Sequence, residues 1–394
     1  MMQRNFQNTN LPLLGFGAMR LPLLGESANA IDEDTLDKMI RYAYDHGVRY
    51  FDTAYPYHGG ESERVIGRIL KQFPRDSYYL ATKYPGHQIS TSYDPQEMFK
   101  EQLEKCEVDY FDYYLLHNVY ESSIDTYFDS RWQIVDYFLE QKKAGRIRHF
   151  GFSSHGGYEN TKQFLDKYGD CMEFCQIQVN YLDWTLQDAK ARYDLLTERG
   201  IPIWVMEPVR GGRLATLSEN DEVKLKALRP DESIAAWAFR WLMTLPNVKM
   251  ILSGMSNMEQ VLDNVKTFTN DEPLSNEEAN LLLEIAEGMK DSLPCTACGY
   301  CLDDCPQDLD IPLLLDLCNQ LRFSPQINIG MRVEAMPEDK RPAACSDCGA
   351  CVKMCPQNID IPTALKAAAT ALAKLPSWAE ICRQRDEVAR TGRQ

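Results

Sequence analysis

Thirteen cysteines occur in 394 residues, and eight of them fall in two runs. Cys295, Cys298, Cys301 and Cys305 precede Pro306, and Cys345, Cys348, Cys351 and Cys355 precede Pro356, so each run reads C-x2-C-x2-C-x3-C-P. That spacing suits four thiolates around a 4Fe–4S cluster, and the chemistry is one-electron transfer. Zinc on the C-x2-C pairs would need only four ligands in total and would leave the third and fourth cysteine of each run idle. The runs are also an internal repeat, since CPQDLDIP from Cys305 matches CPQNIDIP from Cys355. In paired runs the fourth cysteine usually serves the other cluster. Cys295, Cys298, Cys301 and Cys355 are therefore assigned to one cluster, and Cys345, Cys348, Cys351 and Cys305 to the second.

A second set of chemistry-bearing residues lies upstream. Asp52 and Tyr57 stand in FDTAYPYHGGESERVIG, Lys83 ends an apolar run, and His117 ends another. A lysine beside a tyrosine favours the phenolate and is expected to lower the tyrosine pKa from about 10, toward a value useful in general acid work. An aspartate would keep that lysine charged and fixed. This is general acid chemistry, unlike that of the cysteine runs.

Positioning these residues requires a repeated element. Short apolar runs recur at Leu13 to Gly17, Tyr50 to Asp52, Tyr78 to Lys83, Tyr110 to His117, Ile147 to Ser153, Phe174 to Val179, Ile201 to Glu207 and Val248 to Gly254. Amphipathic stretches such as Asp34 to His46, Pro95 to Glu104 and Ser233 to Leu245 lie between most of them. Eight strands alternating with helices predict an α/β fold, a (β/α)8 TIM barrel, in which chemistry collects at the carboxyl ends of the strands. No G-x-G-x-x-G follows the first run, which argues against an open dinucleotide-binding sheet.

With those positions in place, residues 1 to about 290 resemble the aldo-keto reductases: GFGAMRL, FDTAYPYHGGESE and GFSSH look like family landmarks, and Asp52, Tyr57, Lys83 and His117 like the catalytic tetrad. The resemblance implies that Tyr57 protonates a carbonyl oxygen, His117 orients it, and Lys83 with Asp52 tunes Tyr57. It also implies a nicotinamide dinucleotide, NADP(H) or NAD(H). Ser153, Ser154 and Gln176 would meet the carboxamide, and Met206 would take the place of a tyrosine that commonly stacks on the ring. Ser154 stands where the family usually has Asn. The Arg210-Gly211-Gly212-Arg213 loop offers close backbone approach and two cations to a pyrophosphate. Ser253, Gly254, Ser256, Gln260 and Asn264 match the adenosine-phosphate loop, with Gln260 where an arginine often clamps the 2'-phosphate. Tyr84, His87, Asn118, Tyr120, Tyr181 and Trp184 are candidates for the substrate pocket.

The formal charge of -16 and a pI near 4.9 argue against nucleic acid or an anionic membrane as a partner. No window reaches the length of apolar sequence a membrane span requires, and the first ten residues have no apolar signal-peptide core. A cytoplasmic protein is expected, with a small carbonyl substrate and a redox protein as partners. Three segments are predicted: a barrel at 1–291, a mainly helical ferredoxin-like domain with two clusters at 292–370, and a helical tail at 371–394. Ser275 followed by Glu278 predicts a capping box opening a helix between the first two. The cluster segment falls where aldo-keto reductases carry the loop that closes the substrate pocket, so it is expected to stand in for that lid. The first reading is a nicotinamide-dependent carbonyl reductase with an appended electron-transfer module. The alternative is an electron-transfer or redox-sensing protein whose barrel binds nucleotide without turnover.

Overall fold

The computed structural model describes every residue except 26, 28, 89, 290–292, 294, 296–300, 303, 324, 356–358 and 392–394. These form two compact units, one of Met1–Leu281 with Arg385–Gln394 and one of Leu282–Gln384. The first boundary falls inside the helix Asn276–Gly288, earlier than position 291, and residues 371–384 go with the second unit rather than with a separate tail.

The first unit opens with a hairpin, β1 (Gln3–Phe6) and β2 (Thr9–Pro12). Eight parallel strands then close a barrel: β3 (Leu14–Gly17), β4 (Tyr50–Asp52), β5 (Tyr79–Tyr84), β6 (Phe111–Val119), β7 (Ile147–Ser154), β8 (Cys175–Gln178), β9 (Ile203–Met206) and β10 (Val248–Gly254). Each predicted run overlaps one of them, because each is a short apolar stretch bounded by polar helices, and β5, β6 and β7 continue past the predicted ends to Tyr84, Val119 and Ser154. The hairpin was not foreseen. It lends Phe6 and Leu11 to an apolar layer with Tyr50, Tyr113, Phe174, Trp204 and Met250. Phe6 meets Trp204 edge to face at 4.9 Å, so one end of the barrel is plugged by aromatic packing.

Local sequence explains where helices begin. Helix Glu33–Asp45 is capped by Asp32, whose side chain accepts from Thr35 N. The predicted capping box is present: Glu278 N donates to Ser275 Oγ at 3.1 Å, and Ser275 N donates to Glu278 Oε2 at 2.8 Å.

The second unit is helical among its described residues, with helices Ile311–Phe323, Ile327–Glu334, Ala350–Met354 and Ile361–Leu372 after the end of Asn276–Gly288. The internal repeat becomes a structural repeat. Asp310 Oδ1 accepts from Leu313 N and Asp360 Oδ1 from Thr363 N, both at 3.2 Å, so each D-I-P starts a helix with an aspartate cap and a proline in the first turn. Leu314, Leu317, Cys318, Ile329 and Leu365 fill the core that these helices share.

Candidate active site and cluster cavity

Asp52 ends β4, and the chain then turns through Tyr57–Gly60 before entering helix Glu61–Leu70. His58, Gly59 and Gly60 all have positive φ, and this left-handed stretch turns the chain sharply just after Tyr57. His58 Nε2 accepts from Leu21 N at 3.2 Å, which fixes the turn to the loop after β3.

The turn brings the predicted tetrad together. Lys83, on β5 and fully buried, places Nζ 2.6 Å from Asp52 Oδ1, 2.8 Å from the Thr53 carbonyl oxygen and 3.4 Å from the Tyr57 hydroxyl. The Tyr57 ring stands edge-on to His117 with centroids 5.9 Å apart. Behind Lys83, Gln102 donates to its carbonyl oxygen at 3.0 Å and to Glu63 Oε1 at 2.7 Å, while Thr82 Oγ1 donates to the same Glu63 oxygen. The lysine is thus held from both its side chain and its backbone.

Electrostatics differ from the sequence expectation in one respect. Burial pushes the Tyr57 hydroxyl above its ordinary value, and the Lys83 ammonium offsets this only in part, so the net shift is upward rather than downward. Desolvation of the phenolate is a property of the folded pocket and cannot be read from a lysine's position in sequence. Burial works against the Lys83 charge as well, but Asp52 and Tyr57 outweigh it and keep the ammonium protonated. Burial holds His117 neutral, with its pKa well below the usual imidazole value.

The nucleotide candidates divide. Gln176 is buried, its Oε1 has no hydrogen-bond partner, and its amide nitrogen donates toward Met206 Sδ at 3.8 Å. An acceptor left unmet in this way costs about 1–3 kcal/mol, and a carboxamide amine is a fitting donor for it. Ser153 Oγ accepts from Asn118 N at 2.8 Å, whereas Ser154 is fully buried with its hydroxyl on the Val119 carbonyl. Arg210 is buried on Asp183, Nε to Oδ1 3.0 Å, while Arg213 is exposed. Gly211 and Gly212 both take positive φ beside them. Ser253 Oγ accepts from Asn264 Nδ2 at 2.9 Å. Gln260 Oε1 accepts from Ser256 N at 2.8 Å, near the start of helix Met258–Thr269, and Gly254 lies exposed at the end of β10.

Sequence reasoning missed Arg20. Its guanidinium is 3.5 Å from Glu207, a Cβ added to Gly211 would meet it at 3.0 Å, and its carbonyl accepts from Ser256 Oγ at 2.9 Å. It therefore lies against both candidate phosphate loops. The signal was available: it is the first polar residue after the first barrel strand, following Ala18 and Met19. His155 was also missed, although it follows Ser154 in GFSSH.

In the second unit, Cys305, Cys345, Cys348 and Cys351 line one cavity, walled by Leu309, Ile311, Ile361 and Leu365. Among the described residues no three Cys, His, Asp or Glu side chains converge closely enough for a single metal ion. Four thiols spread around an apolar hollow fit a larger inorganic cluster. Cys298 lies outside the described residues, while Cys301 is buried and Cys295 and Cys355 are half-buried. No helix among the described residues is long and apolar enough to cross a membrane.

Comparison with known proteins agrees with both halves. The family model described as the Aldo/keto reductase family matches residues 13–287, and that of the 4Fe-4S dicluster domain matches residues 294–359. The chain is 27% identical to L-galactose dehydrogenase of Arabidopsis thaliana over 71% of its length and 91% of that protein. It is 23% identical to the NADH-specific methylglyoxal reductase of Escherichia coli, over 66% of this chain and 90% of the other. Among solved structures, an aldo-keto reductase from Bacillus halodurans in its holo form superposes with a TM-score of 0.58 at 26% identity, covering 72% of this chain and 96% of that one. A barrel of this topology, matched over most of the chain, places the protein in the aldo/keto reductase family, with an iron–sulfur domain appended.

Proposed function

We propose that the first unit reduces a small aldehyde or ketone, with Tyr57 as the general acid. The observation that carries this reading is the buried chain of contacts from Asp52 through Lys83 to the Tyr57 hydroxyl, facing His117. Gln176, with its unmet Oε1, would hold the carboxamide of a reduced nicotinamide, which would supply a hydride to the carbonyl carbon. Tyr57 transfers its proton to the oxygen as negative charge develops there, and Lys83 stabilises the phenolate left behind. His117, neutral at ordinary pH, donates a hydrogen bond to the same oxygen and fixes its position. Asp52 keeps Lys83 charged throughout.

The same reading gives Arg20 and Arg213 to the phosphates of the dinucleotide and leaves Arg210 as a framework residue, since its charge is met by Asp183. Relatives named as an NADH-specific methylglyoxal reductase and an L-galactose dehydrogenase support a pyridine nucleotide and an oxygenated substrate without fixing either choice. In the second unit Cys305, Cys345, Cys348 and Cys351 hold one 4Fe–4S cluster, and Cys295, Cys298, Cys301 and Cys355 the other, to pass single electrons to a redox protein. Hydride and single-electron chemistry require different carriers, so the two units serve separate steps.

Tyr57→Phe tests the core of the proposal. The variant should lose about 10²–10⁴ in carbonyl reduction while nucleotide affinity, read by fluorescence, stays within about threefold. A Phe variant that turns over normally removes Tyr57 from the chemistry.

A further inference from the structure

Helix Pro95–Cys106 supplies no group to the reaction proposed above, yet it carries Glu101, Gln102 and Lys105 on one face, at spacings of three and four residues. Gln102 and Lys105 are buried, with exposures of 0% and 4%, so their polar ends must be met inside the protein. Gln102 grips β5. Its amide nitrogen lies 3.0 Å from the Lys83 carbonyl oxygen and 3.2 Å from Thr82 Oγ1, and its own Oε1 accepts from the Tyr114 hydroxyl on β6. Lys105 grips the turn that carries Tyr57. Its ammonium stands 3.8 Å from the centre of the Tyr55 ring, a Cβ on Gly60 would lie 3.7 Å from it, and the Tyr55 hydroxyl donates to Glu101 Oε2 at 3.1 Å. The two grips meet at Glu63, on the helix that follows the turn: Oε1 accepts from Gln102 at 2.7 Å and from Thr82 at 2.6 Å, and Oε2 is 3.6 Å from Lys105 Nζ.

A buried ion pair is a weak source of stability, because well-packed apolar side chains of similar volume often serve as well or better. What such a network adds is geometry, since directional bonds fix the groups they join. The two groups joined here need it. Lys83 is on a strand, Tyr57 is on a turn, and Nζ lies 3.4 Å from the hydroxyl, at the long end of hydrogen-bond reach. Displacing reacting groups by about 1 Å can cost about 10²-fold in rate. One helix holds both partners, so strand and turn cannot drift apart without breaking its contacts.

We propose that Gln102 and Lys105, joined through Glu63 and Tyr55, are positioning residues that set the separation of Lys83 and Tyr57. They touch neither substrate nor nucleotide; their effect passes through the Lys83 backbone on one side and the Tyr57 turn on the other. Loosening either grip should slow proton transfer and leave binding alone, because the network lies behind the lysine. The proposal rests on the carbonyl-reductase reading and extends that site to the helix behind it.

The experiment measures kcat, KM and nucleotide Kd on the full chain, with methylglyoxal and 4-nitrobenzaldehyde as probes and NADH or NADPH as reductant. Gln102→Leu and Lys105→Met should each lower kcat by about 10–100-fold, with KM and Kd within about threefold of wild type. Lys105→Arg keeps the charge and should recover most of the Lys105→Met loss. Tyr55→Leu changes a half-buried residue that the fold can spare, and should lower kcat alone by about 3–10-fold. In a Tyr57→Phe background none of these changes should slow the remaining rate further, because they act through Tyr57. A network that only stabilises the fold would lower the melting temperature and leave the kcat of the folded variants unchanged; that result for Tyr55→Leu overturns the proposal. If the wild type reduces neither probe, the carbonyl-reductase reading fails, and crystals of Tyr55→Leu then decide the positioning. A longer distance from Lys83 Nζ to the Tyr57 hydroxyl than in the wild type upholds it, and an unchanged one overturns it.

Discussion

Lys83 Nζ lies 2.6 Å from Asp52 Oδ1, with side-chain exposures of 0% and 4%. A pair sealed in this way is costly to break from one side, because the surviving charge stays buried without its counter-ion. Asp52→Asn should therefore destabilise the first unit by about 3–5 kcal/mol, while the double variant Asp52→Asn/Lys83→Met should recover part of that loss. Thermal unfolding of the two variants checks it, and an Asp52→Asn cost below about 1 kcal/mol would show that the pair is solvated in practice.

The raised Tyr57 hydroxyl has a consequence for pH dependence. On the proposed mechanism carbonyl reduction needs the proton on Tyr57, and burial moves that group above its ordinary value of 10.0, so the acid form persists through neutrality and is lost only on the alkaline side of that value. His117 donates through an N–H in its neutral form, and its pKa lies well below 6.5, so its charge changes only on the far acid side. The kcat/KM for reduction should be level between about pH 6.5 and 10. A titration near pH 7 to 8 in the nucleotide-bound enzyme would mean that another group governs proton transfer.

Much of this was legible because barrel strands announce themselves as short apolar runs and because the four proposed catalytic residues fall near or just after strand ends. The Asp310 and Asp360 caps could be expected from the repeat alone, since aspartate before Ile-Pro is a local helix-start signal. The β1–β2 hairpin was not legible: Gln-Arg-Asn-Phe is polar, and what fixes it is the long-range packing of Phe6 on Trp204. The direction of the Tyr57 shift was not legible either, for desolvation depends on everything that surrounds the hydroxyl. Arg210 and Arg213 look alike in sequence, and only the fold sends one inward to Asp183.

That difference between two arginines is open to test. Arg213→Ala and Arg20→Ala should each weaken dinucleotide binding by about 5–50-fold with little change in melting temperature, as expected for exposed cations that meet phosphate. Arg210→Ala should instead lower stability by about 3–5 kcal/mol, because it strands Asp183 among buried groups. Isothermal titration and thermal unfolding on the same three variants separate the roles, and an Arg210→Ala variant that melts normally but fails to bind nucleotide would reverse the assignment.

The ligand sets proposed for the two clusters can be tested through Cys305. It belongs in sequence to the run of Cys295, Cys298 and Cys301, yet it lines a cavity with Cys345, Cys348 and Cys351. If the fourth cysteine of each run crosses to the other cluster, Cys305→Ala and Cys348→Ala should damage the same cluster, although they come from different runs. Anaerobically prepared wild type should carry about eight iron and eight sulfide per chain. Both variants should lose the same component of the reduced-state electron paramagnetic resonance spectrum, and Cys301→Ala should lose the other. Should Cys305→Ala share its lost component with Cys301→Ala, each run would hold its own cluster, and the cavity shared by Cys305 and Cys345 would reflect packing alone.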